Sequence, residues 1–144
     1  MNKKNDIHIR RATFRNDISD VPQLGEFILG IAAEEHINEM VADSINLALE
    51  EAVVNVMNYA YPKDTQGDVR LESRVDPGKE WTFVLSDTGT PFDPTQADDV
   101  DITLDVEDRP IGGLGIFLVR QIMSEVSYEY KDNSNILTMK YVFG

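Results

Sequence analysis

A long amphipathic segment, from about Asn38 to Ala60, constrains the fold more than any other feature of the 144-residue sequence. At about 100° per residue its apolar side chains gather on one stripe, the pattern of a helix that packs one face on a core. Pro62 follows and would end this helix, because proline cannot continue the hydrogen-bond ladder. The stripe consists of Val41, Ile45, Ala48, Leu49, Ala52, Val53, Val56 and Ala60. Such a helix needs a second layer of structure to cover the stripe.

The residues before this helix predict a strand and a shorter helix. Residues 7–14 are typical of a strand, and Ser19 or Asp20 can cap a helix that has Pro22 in its first turn. One face of that helix is apolar and consists of Leu24, Phe27, Ile28 and Ile31. The first part of the chain therefore predicts a strand followed by two helices.

Alternating apolar residues predict two hairpins in the rest of the chain. The first runs through residues 69–75 and 81–85 across Asp76-Pro77-Gly78, and the second through residues 126–130 and 137–143 across Asp132-Asn133-Ser134. Between them, a loop rich in aspartate and proline leads to a glycine cluster and an apolar helix that ends near Met123. These elements predict a single domain over residues 1–144, an α+β two-layer sandwich whose mixed, mainly antiparallel sheet carries the helices on one face.

Charge and composition limit the binding partners and metal sites that the protein is expected to have. The formal net charge is −13, so the surface should repel nucleic-acid phosphates and anionic lipid, whereas a basic protein partner would be attracted. The polar start of the sequence does not resemble a secretory signal, and there is no cysteine, which fits a cytoplasmic protein. His8 and His36 stand far apart without companions at ligand spacing, so a zinc site is not expected.

The long helix also carries a polar strip along one edge of its apolar stripe. On the helical wheel Glu51, Asn55 and Asn58 form this strip, whereas Glu50 points away from the core. A carboxylate and a carboxamide one turn apart suit Mg²⁺, which prefers oxygen ligands and keeps several waters. A polar helix flank without any ligand has the same pattern, and the spacing leaves both interpretations open.

Two loops that contain glycine complete the set of candidate features. Asp87-Thr88-Gly89 follows an apolar strand and offers an acceptor beside a backbone that a flat ligand can approach, or else it is an ordinary turn. Gly112-Gly113-Leu114-Gly115 begins a helix, where backbone N–H groups favour an anion, although a flexible start without ligand is also common. Neither the dinucleotide-binding fingerprint nor a P-loop fits the sequence.

In this order, the three features resemble the N, G1 and G2 boxes of the GHKL ATPases. The resemblance rests on Glu51-Ala52-Val53-Val54-Asn55 through Tyr61, on Asp87-Thr88-Gly89 and on Gly113-Leu114-Gly115, and it covers nearly the whole chain. Within that superfamily, the compact length and the run from Glu51 to Tyr61 are most similar to the anti-sigma-factor serine kinases.

The resemblance implies ATP and Mg²⁺ as cofactors and assigns roles to individual residues. Asn55 would bind Mg²⁺, and Glu51 would act as general base or orient the attacking hydroxyl. Asp87 would accept from the adenine amino group, and Gly89 would allow close approach of the base. Gly113 and Gly115, with Gly112, would shape the loop that covers the phosphates, and Thr138 would be a further nucleotide contact. Arg109 would touch the terminal phosphate or the protein substrate. The acidic segment from about Asp93 to Pro110 would form a lid.

The implied function is that of an anti-sigma factor with protein kinase activity. Such a protein phosphorylates a serine of a STAS-type antagonist and otherwise sequesters a sigma factor, and its relatives are commonly homodimers. Thr90-Pro91 depart from the G1 pattern, which has a second glycine there, and the lid is unusually acidic. One alternative is a module that binds ATP without turnover and acts by capturing partners. Another is a regulatory GHKL domain outside transcription, such as a partner in a phosphatase-controlled switch. Direct binding to nucleic acid or membrane is not expected.

Overall fold

The computed structural model describes residues 6–61, 65–96 and 113–143. Within these ranges, one five-stranded sheet carries three α-helices on one face. The strands are β1 (His8–Arg15), β2 (Asp68–Asp76), β3 (Glu80–Asp87), β4 (Glu125–Lys131) and β5 (Ser134–Val142), and the helices are α1 (Val21–Glu34), α2 (Glu39–Tyr59) and α3 (Gly113–Ile122). The predicted α+β sandwich is confirmed, although every strand pair among the described residues is antiparallel, so the predicted mixed sheet is not found there.

The sheet order, β1-β2-β3-β5-β4, brings together residues that are far apart in sequence. The two hairpins join through β3 and β5, so β4 lies at an edge. In the register of β3 with β5, Asp87 lies opposite Asn135. Side chains of β3 alternate between the buried, helix-facing side and the outer side, and Asp87 belongs to the buried set.

The two hairpin turns have the conformations that their residues favour. In the first, Lys79 N donates to Asp76 O at 2.9 Å and Gly78 has φ +75°, which fits a type II turn begun by Pro77. In the second, Asp132 and Asn133 have φ values of 53° and 62°, as a type I′ hairpin requires. Both turns lie where the sequence predicts them.

The start of α1 differs from the prediction in how it is capped. Asp20 stands at the N-cap position, but its carboxylate accepts from Arg15 N at 2.9 Å and from the Arg15 guanidinium at 3.0 Å instead of from helix amides. Asp17 caps the preceding single turn, Ile18–Asp20, by accepting from Ser19 N at 2.9 Å. The hydrogen bonds from Arg15 lower the pKa of Asp20. The predicted N-cap position at Asp20 is therefore confirmed, but the side-chain capping bond is not made, because a cation five residues earlier binds this carboxylate.

The end of α1 is held to β1 by charged side chains. Glu35, at the C-cap, accepts from Arg10 Nη1 at 2.9 Å and from His8 Nδ1 at 2.8 Å, and its side chain is only 8% exposed. Burial acts to raise the pKa of Glu35, but the bonds from His8 and Arg10 outweigh it, and the pKa is lowered. The cluster fixes where the chain turns back towards α2.

The predicted stripe of α2 forms the centre of the core. The helix begins after Asn38, whose side chain accepts from Met40 N at 2.8 Å, and Ile45 and Leu49 are fully buried. Trp81 on β3 is also fully buried, and its Nε1 donates to Ser73 Oγ at 2.8 Å. Although α2 has 21 residues, none of the helices in the described ranges combines the length and apolarity needed to cross a membrane.

Candidate functional site

The candidate site is built around Asp87, the last residue of β3. Its side chain is buried, and Oδ1 accepts from Gly89 N at 2.8 Å and from Asn135 Nδ2 at 2.9 Å. Within the described residues no hydrogen bond goes to Oδ2. Burial raises the pKa of Asp87, and the two donors offset this only in part. One carboxylate oxygen is thus held by the protein while the other remains an acceptor.

Asn135 on β5 fixes Asp87 and the loop that follows it. Its Nδ2 donates to Asp87 Oδ1 and to Thr90 O, both at 2.9 Å, while its Oδ1 accepts from Phe92 N at 2.9 Å and from the Tyr128 hydroxyl. These bonds use both donors and both acceptor positions of the carboxamide. Burial raises the pKa of Tyr128, which keeps its hydroxyl protonated as a donor. The Asp87 carboxylate therefore has a rigid support.

Sequence reasoning did not single out Asn135 and proposed Thr138 instead. Thr138 lies on the outer face of the sheet, in a shallow cleft with Thr82 and Lys140, so the structure does not bring it together with Asp87. The alternation along β5 could have identified Asn135 as a buried residue, because its side chain lies on the same face of the strand as that of the buried Leu137. The predicted nucleotide contact of Thr138 gains no support from this placement.

Gly89 lies where the loop after β3 contacts the C-terminal end of α2. A Cβ atom at Gly89 would lie 2.3 Å from Ala60 O, and Thr90 N donates to the same carbonyl at 2.6 Å. The rings of Tyr59 and Phe92 stack nearby, with centroids 5.4 Å apart. The glycine is therefore required by the protein's own backbone, a reason that differs from the ligand approach expected from sequence.

The polar strip of α2 lies N-terminal to this contact on the same helix. Asn55 precedes Ala60 by five residues, or about 7.5 Å of helix axis. It is only 5% exposed, and its side chain makes no hydrogen bond within the described part of the chain. Glu51, one turn earlier, is half-buried. Glu50 is also half-buried and accepts from Asn46 Nδ2 at 3.4 Å, so the prediction that it points away from the core is wrong. An amide oxygen without a partner in these ranges can serve as a ligand for a hard cation.

The third sequence feature is only partly within the described ranges. Gly113 and Gly115 lie in the first turn of α3, and this helix packs against α2. Arg109 and Gly112 lie outside the described residues. Backbone N–H groups at the start of such a helix suit an anion. The structure thus brings the loop with Asp87 and Gly89 to the C-terminal end of α2, the helix that carries the polar strip, with α3 beside it.

Comparison with known proteins supports the family resemblance that the sequence motifs indicate. A family model described as a histidine kinase-like ATPase domain matches residues 14–141. The serine-protein kinase RsbW of Listeria monocytogenes is 29% identical over 117 residues, which cover 78% of this chain and 74% of that protein. The serine/threonine-protein kinase BtrW of Bordetella bronchiseptica is 28% identical over 109 residues, with 76% of each chain covered. RsbW of Bacillus cereus is 25% identical over 109 residues, covering 69% of this chain and 64% of that protein.

Proposed function

Because the chain belongs to the histidine kinase-like ATPase domain family, we propose that it binds ATP with Mg²⁺ and transfers phosphate to a serine of a partner protein. The observation that carries this proposal is the buried Asp87, which has Oδ1 held by Asn135 and Gly89 and Oδ2 left as an acceptor. Two of the similar proteins are named as serine-protein kinases, which supports this class of reaction.

Asp87 would recognise the base. Its Oδ2 would accept a hydrogen bond from the adenine amino group, while Asn135 keeps the carboxylate from rotating. The buried position strengthens such a bond, since little water competes for the oxygen. Guanine carries a carbonyl oxygen in place of this amino group, so the carboxylate would repel it.

The polar strip of α2 would serve the phosphates and the metal. Asn55 would contribute its amide oxygen to Mg²⁺, which takes few protein ligands when phosphates supply the others. Glu51, one turn away, would accept the proton of the attacking serine hydroxyl. Bound MgATP would supply the phosphoryl group for transfer.

Residues at the start of α3 and in the preceding segment would cover the phosphates. Gly112, Gly113 and Gly115 would place backbone N–H groups around them, and the helix dipole would add attraction. Arg109 would neutralise charge at the terminal phosphate. The role of Thr138 is the weakest part of this assignment, because the residue faces the outer side of the sheet.

The partners follow from the family resemblance and from charge. The protein would act as an anti-sigma factor that phosphorylates a STAS-type antagonist and otherwise binds a sigma factor. A net charge of −13 supports a basic partner surface and disfavours direct binding to nucleic acid or membrane. The protein would work in the cytoplasm as a homodimer.

A thermal-shift titration tests the binding step. Increasing ATP should raise the melting temperature in proportion to the logarithm of its concentration above Kd, and Mg²⁺ should enlarge the shift. Asn55→Ala should remove most of the magnesium-dependent part. If millimolar ATP with Mg²⁺ causes no shift, and calorimetry detects no binding, the proposed function is wrong.

Incubation with labelled ATP and candidate antagonist proteins tests the kinase step. Glu51→Ala should abolish serine labelling and leave ATP binding nearly intact. The matched variant Glu50→Ala should retain labelling, because Glu50 is bonded to Asn46 and lies about 100° round the helix from Glu51. If the wild type labels no serine on any cognate antagonist, the kinase proposal is wrong. If regulation of the partner survives in Glu51→Ala without labelling, capture alone suffices for regulation.

A further inference from the structure

Tyr61 connects the end of α2 to the loop that carries Asp87. It directly follows Ala60 and is only 7% exposed. Its hydroxyl donates to Asp68 O at 2.7 Å and accepts from Thr88 N at 3.2 Å. One phenol oxygen therefore joins three segments: the end of α2, the start of β2 and the residue after Asp87.

The ring of Tyr61 is held by close packing against Gly67. A Cβ atom at Gly67 would lie 2.3 Å from Cε1 and 2.4 Å from Cζ of this ring. No side chain larger than hydrogen fits at that position unless the ring moves. Tyr61 thus has little freedom, and the position of its hydroxyl is set by the packing.

The hydrogen bond from Thr88 N to Tyr61 holds a part of the loop that the bonds of Asn135 and Gly89 do not reach. Asn135 holds Asp87 and Thr90 from β5, and Gly89 N donates to the Asp87 carboxylate. Tyr61 holds the intervening Thr88 amide from the opposite direction, the α2–β2 side. The peptide between Asp87 and Thr88 is thereby fixed from both sides.

We infer that Tyr61 is a positioning residue for base recognition: its hydroxyl orients the loop so that Asp87 Oδ2 faces the 6-amino group of a purine. This inference rests on the proposed nucleotide-binding function. Tyr61 does not itself contact the base in this assignment and acts through Thr88 and Asp87.

Tyr61→Phe tests the inference, because it removes only the oxygen and keeps the ring on Gly67. The binding of ATP should be compared with that of purine riboside 5′-triphosphate, which lacks the 6-amino group. The variant should weaken ATP binding about 3- to 10-fold, the effect of one hydrogen bond, and change binding of the analogue less than about twofold. Tyr141→Phe is the matched control, since Tyr141 pairs with Trp81 far from this loop and its loss of oxygen should alter neither constant.

Equal weakening of both nucleotides would show a general structural role, and unchanged ATP binding would show no role; either result overturns the inference. A second measurement requires no nucleotide. Hydrogen exchange of the Thr88 amide should accelerate in Tyr61→Phe and not in Tyr141→Phe, and an unchanged rate also overturns the inference. If the wild-type protein binds neither triphosphate, the proposed function is wrong, and Tyr61 has no role in base recognition. Faster exchange of the Thr88 amide in Tyr61→Phe would then show only that the hydrogen bond exists.

Discussion

Replacing Asp87 with asparagine isolates the base contact from the rest of the site. The substitution keeps the shape of the side chain. Both groups bound to Oδ1, Gly89 N and Asn135 Nδ2, are donors, so the carbonyl oxygen of the new amide must take that position. The NH₂ group then replaces Oδ2 and faces the base. A donor would meet the donor of the adenine amino group.

The size of the effect follows from the kind of bond that is lost. A hydrogen bond to a charged group contributes about 1.5–3 kcal/mol, so ATP affinity should fall about 10- to 150-fold. The stability of the nucleotide-free protein should not fall at neutral pH. Burial raises the pKa of Asp87, which means that the folded state disfavours the charged form.

The same pKa shift predicts a pH dependence. The folded protein keeps the Asp87 proton to a higher pH than the unfolded chain, whose aspartate has a pKa near 3.8. The contribution of Asp87 to stability is therefore complete below that value and is lost as the pH rises through the raised pKa. Asp87→Asn lacks this loss, so its melting temperature relative to the wild type should rise over the same interval.

Isothermal calorimetry with MgATP measures the affinity, and thermal melts from about pH 4 to about pH 8 cover the titration of a shifted carboxyl. A loss of affinity below about threefold would refute base recognition by Asp87, because it is smaller than the effect of a charged hydrogen bond. A large fall in melting temperature at neutral pH would refute the assignment of the hydrogen bonds around Oδ1.

Three further substitutions test the scaffold. Gly89→Ala should lower both stability and ATP affinity, because its Cβ would lie 2.3 Å from Ala60 O; unchanged melting and calorimetry would contradict this contact. Leu49→Ala should destabilise the fold by about 2–5 kcal/mol in urea unfolding with no specific loss of nucleotide binding. Glu35→Gln should lower the melting temperature at pH 7, and the difference should shrink as the pH falls through the lowered pKa of Glu35, since the wild type then loses the same charge. A difference independent of pH would show that the ion pair is not responsible.

Local patterns in the sequence predict most of the fold. The apolar stripe of α2 and the turns at Pro77-Gly78 and Asp132-Asn133 are properties of neighbouring residues, and they lie where periodicity and turn chemistry predict them. The partner of the Asp20 side chain at the N-cap of α1 could not be predicted in the same way. Ser19 and Asp20 are both good caps, and only the path of β1 places Arg15 beside the Asp20 carboxylate.

The candidate site was predictable in its local parts and not in its long-range ones. Asp87 and Asn55 stand out through motif and helical position, but the partner of Asp87 depends on the register of β3 with β5, which brings Asn135 across 48 residues of sequence. The true reason for Gly89, a contact with Ala60, also depends on how the helix end meets the loop. Local periodicity places Asn135 on the buried face of β5, but it does not identify the residue that Asn135 meets on another strand.

The buried Trp81 has a practical consequence for every measurement above. It is the only indole in the sequence, and it lies inside the sheet with its N–H bonded to Ser73. Its emission should therefore shift to longer wavelength only when the core opens and water reaches the ring. The protein carries a built-in optical probe of global unfolding, and a variant that changes nucleotide binding without changing this fluorescence has an intact interior.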